Sequence, residues 1–105
     1  MNTNGAETIE LAERSIYNGI RQGTRGLYED AINTFDRAVV ACQTFNGDSY
    51  AMRLLAARAL GNKGAALGDF ERNSEAMACY DAAIAIYRQL AGQSGSSDLT
   101  VDHQT

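Results

Sequence analysis

Three observations predict an all-α fold of four antiparallel helices. The 105 residues contain no proline and are rich in alanine, with Glu, Arg, Gln, Leu and Met filling much of the rest, a mixture with low helix penalties. Apolar residues recur at helical spacing in four segments separated by short breaks containing Gly, Asn or Asp. One spacing also occurs twice: Gly19, Ala31, Phe35 and Ala38, then Gly64, Ala76, Tyr80 and Ala83, each 45 residues further on. Small and aromatic residues at identical offsets indicate a duplicated helix-turn-helix unit. Such a unit cannot bury its apolar face alone and must stack on a copy of itself or on something else.

The first helix is expected over residues 5–22. Asn4 with Glu7 three positions later forms a capping box, and Ile9, Ala12, Ile16 and Ile20 recur at helical spacing. Gly23, Thr24, Arg25 and Gly26 break it. The second helix runs from Leu27 to about Phe45, with Tyr28, Ala31, Ile32, Phe35, Ala38, Val39 and Cys42 on one apolar face, and Asn46 and Gly47 end it. Asp48 or Ser49 caps a third helix reaching about Leu67, whose buried side carries Met52, Leu55, Ala56, Ala59, Leu60 and Leu67. Gly68 and Asp69 close it. Asn73 or Ser74 opens the fourth, where Ala76, Met77, Tyr80, Ala83, Ile84, Tyr87 and Ala91 reproduce the apolar face of the second. Short connections make successive helices antiparallel neighbours. Residues 1–92 form the helical domain and residues 93–105, rich in Ser, Gly and Asp, a polar tail anchored only by Leu99 and Val101.

A net charge of −4 opposes attraction to phosphate backbones, so nucleic acid is disfavoured as a partner. The nine basic residues, all Arg except Lys63, are scattered among acids and form no run along the chain. The first fifteen residues lack the apolar core of a signal peptide, and no apolar run approaches the ~20 residues that span a bilayer. A cytoplasmic protein away from membranes is therefore expected. Cys42 and Cys79 sit in periodic apolar segments without a second ligand at metal spacing and read as free, buried thiols.

The segment Arg25-Gly26-Leu27-Tyr28-Glu29-Asp30-Ala31-Ile32, followed by Phe35 and Ala38, resembles the second helix of a tetratricopeptide repeat, with Gly19 where that family places its first-helix glycine. The second copy, Ala59-Leu60-Gly61-Asn62-Lys63-Gly64 with Leu67, Gly68, Ala76, Tyr80 and Ala83, is similar through nearly a whole repeat. The two copies cover roughly residues 12–91. The pattern departs from the family in repeat length, since the usual unit has 34 residues, and in having Gln22 where a large apolar residue is usual. The resemblance implies two helix-turn-helix repeats in a right-handed stack and a role in binding proteins or peptides. It also implies a concave groove with partner contacts at Tyr17, Arg58 and Asn62. The first helix, with Glu13, Ile16, Tyr17 and Ile20 on the matching face, lacks the Lys and Asn of carboxylate-gripping members, which favours an apolar groove floor. An up-down four-helix bundle, a plain dimerisation domain with no separate groove, shares these helix boundaries and stays open as the alternative.

No catalytic, cofactor or metal constellation is visible. His103 is the only histidine and lies in the tail beside Asp98 and Asp102, no Ser or Cys nucleophile stands at a recognisable distance from a base, and Gly61, Gly64 and Gly68 fall at helical spacing rather than in a phosphate loop. The fourth helix, however, is apolar over an arc of roughly 220°. That is more than a helix covered on one side needs. The stripe Cys79, Ala82, Ile86 and Leu90 stands where the second helix has Thr34, Arg37, Ala41 and Phe45, and is expected to be covered by a second copy of the chain in a homodimer.

Overall fold

The computed structural model describes residues 5–44 and 49–94. Four helices run in order: α1 (Gly5–Thr24), α2 (Tyr28–Thr44), α3 (Tyr50–Asp69) and α4 (Asn73–Ser94). The expected cap at Asn4, the break at Asn46 to Asp48, Phe45 and the tail residues from Gly95 onward lie outside the described residues. Ser49 supplies the α3 cap, its Oγ accepting from the Met52 amide at 3.1 Å. Helix α1 continues two residues past its expected end, and α4 runs beyond Gly92.

Each helix packs on the next, and α1 also packs on α3. Among the described residues α4 touches α3 alone. A closed four-helix bundle brings its first and last helices together. Here they do not meet, so the architecture is two helical hairpins placed side by side as an open stack.

The duplication extends to individual hydrogen bonds. At the end of α1 the Leu27 amide donates to the Gln22 carbonyl (2.9 Å) and the Gly26 amide to that of Gly23 (3.0 Å). Forty-five residues later the Arg72 amide donates to Leu67 (2.8 Å) and the Glu71 amide to Gly68 (3.0 Å). Both turns are the Schellman type, in which the residue past the helix end takes a left-handed conformation. Gly26 does so at φ 81° and Glu71 at φ 64°.

The repeated spacing has one physical meaning in both hairpins. A Cβ placed on Gly19 would lie 2.7 Å from Phe35 Cζ, and one on Gly64 2.8 Å from Tyr80 Cε1. Each first helix thus offers a bare backbone strip against which the Cδ1–Cε1–Cζ side of the second helix's aromatic ring packs, a closeness that any side chain would prevent. One core runs through the stack, built from Ala12 and Ile16 of α1, Ala31, Phe35, Ala38 and Cys42 of α2, Met52, Leu55, Ala56, Ala59 and Leu67 of α3, and Ala76 and Cys79 of α4. Burying a ring such as Phe35 contributes about 2–3 kcal/mol.

Candidate interaction surfaces

The two copies differ in what covers them. On α2, Ile32, Phe35, Val39 and Cys42 are buried, because α3 lies over them. At the same register on α4 stand Met77, Tyr80, Ile84 and Tyr87, which are 59, 37, 45 and 41 % exposed. No described helix lies over this face. It offers on the order of 400 Å² of largely apolar surface, the scale at which an exposed patch marks an interaction site.

This corrects the expected stripe on α4. Cys79 and Leu90 are buried, Ile86 is half-buried, and only Ala82 is exposed. The reason is that α3 lies along Ala76, Cys79, Ala83 and Leu90, turning the opposite edge of the apolar arc to water. An arc wide enough for two neighbours, with only one present, leaves one edge uncovered, and periodicity does not say which edge that is.

The three expected groove contacts stand on α1 and α3. Tyr17 is exposed and its ring faces the Arg21 guanidinium, 5.8 Å from the centroid. Arg58 is exposed, and the Asn62 side-chain amide donates to its backbone carbonyl at 2.9 Å. Asn62 does line a notch of about 210 Å³ between α1 and α3, together with Ile20, Thr24, Phe35, Ala65 and Asp69. Tyr17 and Arg58 are not among the residues lining it. Ile20, spaced like a core residue, is largely exposed at its rim, whereas Ile16 is fully buried.

A second cleft, of about 340 Å³, opens between the C-terminal half of α1 and the middle of α2. Every residue lining it carries a polar or charged side chain: Ser15, Asn18, Gln22 and Thr34, with Arg21, Arg25 and Arg37. Buried Thr34 donates to Gln22 Oε1 at 2.7 Å, which explains the polar residue at position 22. In the other hairpin the corresponding pair is Leu67 and Cys79, both buried. There α2 fills the counterpart of the cleft, with Tyr28 against Phe70 at 6.1 Å between ring centroids. The gathering of three arginines is invisible along the chain. Laying the two copies over one another does expose it, since Arg21, Arg25 and Arg37 oppose Ala66, Phe70 and Ala82.

Cys42 and Cys79 are free and buried, and burial pushes both thiols up from their ordinary value. They are protonated, weak nucleophiles at neutral pH. Among the described residues no group of three or more His, Cys, Asp or Glu is placed to hold a metal ion, and no helix is long and apolar enough to cross a membrane. No family model, curated protein or solved structure matches the chain.

Proposed function

We propose that the chain is a protein-protein interaction module of two tetratricopeptide-like repeats, acting in the cytoplasm, that self-associates through its last helix. The observation that carries this reading is the exposure of Met77, Tyr80, Ile84 and Tyr87 at the positions where the first hairpin receives α3. A face built like one that already accepts a helix is suited to accept another. The glycine-aromatic contacts in both hairpins and the pairing of α1 with α3 support the repeat reading. The open notch beside Asn62 favours a separate peptide groove over a domain that only dimerises.

The occupant proposed for the α4 face is α4 of a second copy. Stacking head to tail requires α1 to stand where α3 stands on α2. At the positions where α3 buries Met52, Leu55, Ala56 and Ala59, α1 carries Glu7, Glu10, Leu11 and Arg14, all exposed. Taking three ionised side chains out of water is costly even where Arg14 pairs with Glu10, so a chain-lengthening stack is opposed. Two α4 faces meeting about a two-fold axis need no such burial and close at two copies. Together with their flanks they bury about 1,000 Å², the lower limit for a specific interface, which fits a micromolar dimer.

Light scattering at tens of micromolar tests this, with twice the 11.3 kDa of one chain expected. Ile84→Glu is expected to return the single-chain mass with unchanged helicity. A wild-type chain that scatters as one copy overturns the proposal, as does a chain cut after Gly92 that dimerises only once the tail is gone.

A further inference from the structure

The cleft between α1 and α2 has chemistry of its own. In a chain of net charge −4, three of the nine basic side chains line one cleft, and no carboxylate lines it with them. The ion pairs among the described residues are Arg14 with Glu10, Lys63 with Asp36 and Arg72 with Glu75, so none of the three belongs to one. The three exposed guanidiniums give the cleft a local positive field in an otherwise acidic chain, which an anion seated among them complements. Behind them the floor is fixed: Thr34 is buried and hydrogen-bonded to Gln22 Oε1, which leaves the Gln22 amide N–H groups as neutral donors at the same place.

All three cations are arginine, whose planar fork matches the paired oxygens of a carboxylate or phosphate, where lysine supplies only a point charge. The number of charges separates those two ligands. A carboxylate carries one charge and is satisfied by one guanidinium, whereas a phosphate monoester approaches two charges at neutral pH and presents three acceptor oxygens. A cleft of about 340 Å³ also has room for more than a carboxylate.

We propose that the cleft bounded by Arg21, Arg25 and Arg37 is a binding site for a phosphoryl group carried as a monoester. The site is independent of the α4 face and stands whether or not the chain dimerises. The net negative charge of the rest of the molecule selects for a small or isolated phosphoryl group over a polyphosphate backbone.

The test is titration of the intact chain with O-phosphoserine, followed by the amide resonances of Arg21, Gln22, Arg25 and Thr34, with chloride and sulfate at equal ionic strength as controls. Saturable shifts with a dissociation constant of about a millimolar are expected, weakening as pH falls below about 6, where the monoester loses its second charge. Arg21→Gln with Arg37→Gln is expected to weaken binding about tenfold or more. Arg25→Gln, in the exposed turn, gives a second variant that does not disturb a helix interior. A phosphoserine peptide binding more tightly than O-phosphoserine identifies a modified protein segment as the source, and equal binding identifies a free monoester. Shifts that do not saturate, that chloride reproduces, or that persist in both variants overturn the proposal.

Discussion

At one end of the stack α1 turns Glu7, Glu10 and Arg14 to water where α3 places Met52, Leu55 and Ala59 in the core. At the other end α4 turns Met77, Tyr80, Ile84 and Tyr87 to water where α2 buries Ile32, Phe35, Val39 and Cys42. The first end has side chains suited to water, and the second keeps the composition of an interior. Within each hairpin, by contrast, the copies agree in the glycine-aromatic contact, in the turn hydrogen bonds and in the left-handed residue after the first helix. The packing inside the unit is the same in both copies. The copies differ where their neighbours differ.

If neighbours set the value of a position, the same substitution in the two copies must have different costs. Phe35→Ala is expected to lose about 3–5 kcal/mol of unfolding free energy in urea, and Tyr80→Ala about 1–2 kcal/mol at concentrations too low for association, because Phe35 is buried whereas Tyr80 is already 37 % exposed. Equal losses would falsify the comparison. The gap should narrow as protein concentration rises, since a second copy on α4 then adds to the loss at Tyr80.

The glycines supply the next test. Gly19→Ala drives a methyl into a ring that the rest of the core holds in place, and about 2 kcal/mol of destabilisation is expected by thermal or chemical denaturation. Tyr80 can swing toward solvent when Gly64 becomes alanine. The clash is then relieved and partly offset by the better helix propensity of alanine, leaving a net change of about 1 kcal/mol or less. A larger loss at Gly64 than at Gly19 contradicts the view that α4 is the loosely covered helix.

The smallest effect lies in the turns, and its sign is opposite in the two copies. Glu71 holds a left-handed backbone that costs a residue with a Cβ about 1 kcal/mol. Glu71→Gly is therefore expected to raise the melting temperature by a few degrees, and Gly26→Ala to lower it by a similar amount. Matching signs would mean that the two turns do not share the strain implied by their φ values.

Much of this fold can be read from the residues themselves. The glycine breaks and the Ser49 cap place the helix ends to within about two residues because capping and helix termination are local chemistry. The offset between Gly19 and Gly64 forecasts the repeated close packing because Gly with an aromatic sixteen positions on is itself the contact. The interaction surfaces were less legible. Cys79 and Leu90 share the apolar arc of α4 with Tyr80 and Ile84, and nothing in the periodicity distinguishes the edge that meets α3. Tyr17, Arg58 and Asn62 share a helix-face position by analogy, yet only Asn62 lines the notch. The arginine cleft escapes a linear reading because Arg37 approaches Arg21 and Arg25 only after α2 folds back on α1.

The sequence by itself determined the helical content, the four segments, the duplication and the small-against-aromatic packing within each copy, because these depend on propensities and spacings a few residues long. Tertiary structure alone decided that the stack stays open, which edge of α4 faces water and that three scattered arginines share one cleft. Burial of a residue depends on whether another helix occupies the space beside it, and that occupancy is a property of chain segments far apart in sequence.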